Sequence, residues 1–126
     1  MRRRRTVALV GLVMAANACA DDGTSGSASP TEEGKELAAR YGCFSCHSVQ
    51  GDDRTGPTWS GLAGSKVTLA DGTTTTATRS YLEDSIRSPE AMVVKGFPPI
   101  MPTVDIGPED LSAIIDYIQS LGLVER

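Results

Sequence analysis

Cys43-Phe44-Ser45-Cys46-His47 is the stretch of this 126-residue sequence whose residue types and spacing promise chemistry. On a helical turn, positions i, i+3 and i+4 point the same way, so both thiols and the imidazole share one side. That arrangement suits covalent haem attachment: the thiols add to two vinyl groups while His47 takes the iron from below. A Cys43–Cys46 disulfide, a thioredoxin-type redox pair and a zinc site use parts of the same pattern. The redox pair needs a βαβ setting that the surrounding sequence lacks. Zinc needs four ligands, and apart from Cys19 the sequence has two cysteines and one histidine. The reading is one covalent haem c.

The sixth iron ligand follows by elimination. His47 is the only histidine, and Met92 and Met101 are the methionines beyond the first twenty residues. Met101 lies in Pro99-Ile100-Met101-Pro102, where prolines stiffen an extended loop able to present a thioether. Met92 falls just past a predicted helix end and reads as core filler. Met101 is therefore the expected axial partner of His47. A soft thioether raises the potential and fills the last coordination position, which favours electron transfer over catalysis. The iron-bound histidine needs an acceptor for its other ring nitrogen, and a carbonyl of the rigid Gly56-Pro57 loop, at Pro57, is the candidate. Trp59 packs either against the haem edge with its N–H toward a propionate or simply in the core. Tyr81 and Phe97 are read as pocket wall.

Four elements must position these residues. Ser29-Pro30-Thr31-Glu32 has the order of a helix start, and the helix runs to about Tyr41. Gly34 lies on its apolar face with Leu37, Ala38 and Tyr41, and a glycine there allows another helix to come close. Residues 48–66 read as loop. Val67 to Thr76 around Asp71-Gly72 predict a small hairpin with a tight primed turn. A helix is expected from Arg79 to Arg87, with Tyr81, Leu82 and Ile86 on its apolar face and Pro89 ending it. The last helix starts at Gly107-Pro108 and stops at Gly122, with Leu111, Ile114, Ile115, Ile118 and Leu121 as a 3.6-residue stripe. Large apolar side chains are few, so a buried apolar cofactor is needed to complete the interior.

The N-terminus is of another kind. Arg2 to Arg5, a short apolar run and the small residues around Ala16 to Ala18 describe an export signal over residues 1–18. The run is too short to span a bilayer. Cys19 then opens a Ser/Gly-rich flexible tether over residues 19–30, as in lipid-anchored bacterial proteins, and acylation there would hold the domain of residues 31–126 at a membrane; ordinary cleavage near Ala18 or Ala20 would instead give a soluble carrier. The formal net charge is −4, from 12 basic and 16 acidic residues. Without Arg2 to Arg5 the balance is 8 against 16, or −8, which argues against nucleic-acid binding.

Gly42-Cys-Phe-Ser-Cys-His47, Thr55-Gly-Pro-Thr58, Gly64 to Gly72, Tyr81 to Ile86, Val94-Lys-Gly-Phe-Pro-Pro-Ile-Met-Pro102 and Tyr117 to Leu121 together resemble a class I cytochrome c. They are most similar to the cytochrome c domain fused to subunit II of haem-copper oxidases, here without the copper-binding domain. The resemblance implies an all-α fold wrapping one haem with a small β-hairpin insertion, first and last helices crossing near Gly34 and Tyr117, and His47 and Met101 as axial ligands. The chain is then expected to be a monomeric, non-enzymatic electron carrier of a respiratory chain, exported to the periplasmic or extracytoplasmic face. A quinol-oxidising complex is the expected donor and a terminal oxidase the acceptor. Two rivals are a fixed relay subunit of a larger oxidase or dehydrogenase and a haem sensor or peroxidase with an open sixth position.

Overall fold

The computed structural model describes residues 29–122. The expected export signal, Cys19 and nearly all of the expected tether fall outside the described residues. Three helices, α1 (Pro30–Arg40), α2 (Arg79–Arg87) and α3 (Pro108–Ser120), and one two-stranded antiparallel sheet, β1 (Lys66–Thr68) with β2 (Thr74–Thr76), make up the regular structure. This is the expected all-α fold with a hairpin inserted. Among the described residues, no helix is long and apolar enough to cross a membrane.

The first two helices begin where the sequence supplies a side-chain cap, and α3 opens on Gly107 and Pro108 without one. The Ser29 hydroxyl accepts from the Glu32 amide at 3.3 Å, Pro30 opens α1, and Glu32 and Glu33 sit where the helix dipole favours negative charge. Thr78 caps α2 by accepting from the Tyr81 amide at 3.2 Å. Pro89 cannot continue that helix, and the chain turns through a short 3-10 segment, Pro89–Ala91.

The scaffold is the crossing of α1 and α3. Leu37 and Ala38 of α1 and Leu111, Ile115, Tyr117 and Ile118 of α3 are all buried. Gly34 is the point of closest approach: a Cβ there would lie 2.1 Å from the Ala113 carbonyl oxygen and 2.8 Å from Tyr117 Cβ. Only a residue without a side chain lets the two backbones meet, as the sequence suggested. Beside this contact the Tyr41 hydroxyl donates to the Asp110 carboxylate at 2.8 Å, tying the end of α1 to the start of α3. Arg79 ties α2 to α3, pairing with Asp116 and donating to Gln119 Oε1 at 2.8 Å and Ser112 Oγ at 2.7 Å.

The hairpin departs from expectation in its turn. Strand register pairs Lys66 with Thr76, Val67 with Thr75 and Thr68 with Thr74, and a further bond runs from the Leu69 amide to the Thr73 carbonyl at 2.8 Å. Ala70, Asp71 and Gly72 therefore form a three-residue connection, with only Gly72 at positive φ (+89°). A two-residue primed turn would need Asp71 in the left-handed region too. Asp71 instead uses its carboxylate to accept from the Thr73 amide (2.8 Å) and hydroxyl (2.7 Å), which favours the wider turn.

Candidate functional site

The cysteine pair sits where α1 has just ended. Gly42, at φ +77°, reverses the chain, and Cys43–Ser45 form one turn of 3-10 helix. The Cys46 and His47 amides both donate to the Cys43 carbonyl, at 3.2 and 3.0 Å. The turn is tighter than the α-helical one on which the spacing argument rested, yet it carries Cys43, Cys46 and His47 to a common wall. Both cysteines are half-buried and neither is in a disulfide, and burial pushes the Cys43 thiol above its ordinary value.

His47 is held from three directions. Its Nδ1 donates to the Pro57 carbonyl at 2.7 Å, the bond the sequence assigned to that proline. That tautomer leaves Nε2 with its lone pair free for a metal. The ring stacks on Trp59 at 5.2 Å between centroids and 26° between planes. Gly56 closes the third side, where a Cβ would come within 2.7 Å of the imidazole Cε1. Desolvation lowers the His47 pKa despite the opposing Pro57 carbonyl, so the ring is neutral and able to coordinate near pH 7.

The loop behind the ring is knotted by hydroxyls that the sequence reading passed over. Ser48 is buried; its hydroxyl donates to the Asp52 carbonyl and lies 3.0 Å from the Thr58 hydroxyl, from which it can accept. The Trp59 amide returns to the Ser48 carbonyl at 2.8 Å, and the Gly56 amide to the Cys46 carbonyl at 2.9 Å. Pro57 and Trp59 thus arrive at the imidazole through a short closed loop. The visible signal was a serine directly after the histidine with a threonine directly after the proline.

These parts face a cavity of about 280 Å³. Tyr81, Leu82 and Ser85 of α2, Ile114 and Ile118 of α3, and Met92, Phe97 and Met101 of the following loop complete its walls. The structure thus brings together every haem-pocket residue picked from the sequence. Trp59 is 5% exposed and belongs to both the core and the cavity wall, so the two alternatives for it are not exclusive. Met92 and Met101 both line the cavity, but Met92 also packs on the hydrophobic core whereas Met101 does not. The walls fit a large apolar group with two thiol-reactive positions and a metal. A further sign is Ser85 Oγ, which is buried with no hydrogen-bond partner among the described residues.

A profile of the family described as Cytochrome c matches residues 31–122. The chain belongs to the cytochrome c family. Its cofactor is accordingly covalent haem c, carried in this family by the C-x-x-C-H motif that stands here at residues 43–47, and its activity is electron carriage. None of the curated proteins compared with it matches. Among solved structures, cytochrome cH from Methylobacterium extorquens superposes with a TM-score of 0.54 at 22% identity, covering 71% of this chain and 97% of that one. At that identity the likeness speaks for the fold alone, and the fold is that of this cytochrome c: helices crossing behind a haem cavity.

Proposed function

We propose that this cytochrome c shuttles single electrons through a haem held by Cys43 and Cys46 and ligated by His47 and Met101. Bound haem c supplies a one-electron iron couple. The protein's own residues orient and enclose it: Pro57 and Gly56 fix the imidazole plane, the apolar walls exclude water, and Met101 offers a thioether from the opposite loop. The observation that carries this reading is the gathering of the attachment turn and the Met101 loop on one apolar cavity. Few titratable groups line that cavity, and Glu90 is the only carboxylate among them. That supports a carrier over a haem peroxidase.

In the same reading the electrons come from a quinol-oxidising complex and go to a terminal oxidase, consistent with the resemblance to the domain fused to oxidase subunit II. Ile100, 62% exposed on the cavity rim and flanked by prolines 99 and 102, offers a small apolar contact for transient docking. Residues 1–18 direct export, and a lipid on Cys19 holds the domain at the outer face of the membrane.

Ferric absorption spectra of the wild type, Met101→Ala and Met92→Ala test the ligand assignment. Loss of the sulfur-to-iron band in Met101→Ala alone is the expected result. Its loss in Met92→Ala alone would refute the assignment.

A further inference from the structure

The loop between α2 and α3 packs on the core through Met92, Val94 and Ile106 but has few hydrogen-bonded ties to the rest of the fold. From Met92 to Ile106, the backbone bonds within the loop or to its own neighbour are Met92 N to Pro89 O, Phe97 N to Val94 O and Ile100 N to Pro98 O. Prolines 98, 99 and 102 have no amide to donate. Among the described residues, only two hydrogen bonds join this loop to a distant part of the chain, and both go to the hairpin. The Ala70 amide donates to the Val93 carbonyl at 2.8 Å, and the Lys95 amide donates to the Thr68 carbonyl at 2.9 Å. Between them Leu69 and Val94 form an antiparallel bridge. The hairpin is itself rooted: Val67 is buried in the core, and the Ala77 amide bonds the Ser65 carbonyl at 2.9 Å to close its base.

We propose that the hairpin is a brace that positions Met101 over the iron and thereby sets how readily the sixth position opens. The proposal rests on the assignment of Met101 as axial ligand. A loop of fifteen residues containing three prolines has little of its own structure to oppose release of the thioether. Two backbone bonds and the Leu69–Val94 pair, placed six to eight residues before Met101, remove much of the freedom it would otherwise have. The chain crosses from the brace to Met101 through Gly96, at φ +93°, and the stiff Pro98-Pro99 pair. Gly96 is the one flexible joint on this path, and the Pro98-Pro99 pair beyond it limits how much movement of the hairpin is lost before Met101.

Imidazole added to the ferric holoprotein reports on this directly, because it binds iron only in the fraction of molecules whose thioether has left. Ala70→Pro deletes the donor to Val93, and Asp71→Ala releases the turn by removing the acceptor for Thr73. Loss of one backbone bond should raise the apparent affinity for imidazole about fivefold. Arg79→Ala, which cuts an exposed α2–α3 tie away from the hairpin, should leave it within about twofold even where global stability falls as far. Unchanged imidazole affinity in the hairpin variants, or an equal gain in Arg79→Ala, overturns the brace. Where Ala70→Pro does not fold, Asp71→Ala decides alone. The Met101→Ala spectrum separates the two readings. If that variant keeps its sulfur-to-iron band, the ligand assignment and the brace fall together. If it loses the band while the hairpin variants leave imidazole affinity unmoved, only the brace falls.

Discussion

Gly34→Ala puts the helix crossing to a quantitative test. The added methyl would sit 2.1 Å from the Ala113 carbonyl oxygen, 2.8 Å from its carbon and 2.8 Å from Tyr117 Cβ. Ordinary contact begins near 3.4 Å, so α1 and α3 must separate by about 1.3 Å at this point. Two effects oppose each other. Alanine is the better helix former by about 1 kcal/mol. Overpacking costs about 1–3 kcal/mol, and more where nothing can rotate aside. Here two of the three obstacles are backbone atoms, which places the cost at the top of that range or beyond, near 3–4 kcal/mol. The net loss is about 2–3 kcal/mol. At about 4–8 °C per kcal/mol for a domain this small, the midpoint of thermal unfolding should fall by about 8–24 °C. Far-ultraviolet circular dichroism of the holoprotein measures it. A variant within about 0.5 kcal/mol of wild type would show that the helices can part freely and that Gly34 is only tolerated.

Other substitutions probe the site and its ties. Gly56→Ala pushes a methyl to 2.7 Å from the His47 ring, so it should tilt the imidazole off the Pro57 carbonyl and cost about 1–3 kcal/mol; unchanged ring-proton shifts in the nuclear magnetic resonance spectrum would contradict this. Tyr41 is a pH test: its bond to Asp110, with desolvation adding, raises the phenol pKa above the unfolded value. Its contribution is therefore complete below about pH 10 and lost as pH climbs through the raised value. Tyr41→Phe should lower stability at neutral pH and flatten its decline at high pH, read from denaturant midpoints between pH 7 and 11; desolvated Tyr117 keeps part of the slope. Arg79→Ala should cost no more than about 1 kcal/mol by chemical denaturation, because Arg79 and Asp116 are 43% and 49% exposed.

What could be read from the sequence, and what could not, divides along covalent lines. The three helices were legible because caps, prolines and a 3.6-residue stripe act within one turn of the chain. Gly34 could be picked out because glycine inside a helix is disfavoured locally and asks for a reason elsewhere. Pro57 was reachable by asking what the second nitrogen of His47 would bond. The turn at Asp71-Gly72 was misjudged because its type depends on the Asp71 carboxylate choosing Thr73, a choice the dipeptide does not announce. The knot of Ser48 and Thr58 and the closeness of Gly56 to the ring were missed for a related reason. They arise from the path of a loop in space, and loops carry no periodicity to read. The attachment of the hairpin to residues 93–95 is of the same kind: two segments about 25 residues apart in sequence meet through backbone atoms, which every residue has.

The cavity and the core are largely one thing in this molecule. Trp59, Tyr81, Leu82, Ile106, Ile114 and Ile118 are buried hydrophobic residues and also cavity walls. On α3 the labour is divided along the stripe: Leu111 and Ile115 are buried outside the cavity lining, while Ile114 and Ile118 are part of it. A helix that serves both sides cannot shift toward one without loosening the other, so rigidity of the α1–α3 crossing becomes rigidity of the haem wall. In the ligation proposed above, the two ligand-bearing segments, at His47 and Met101, are loops laid over that wall. The histidine side is tied to Pro57 by its own ring nitrogen, whereas, among the described residues, Met101 itself makes no hydrogen bond and is steadied through the backbone upstream of it. The thioether side is consequently the weaker of the two. A change of ligation in this cytochrome should begin at Met101, with His47 still in place.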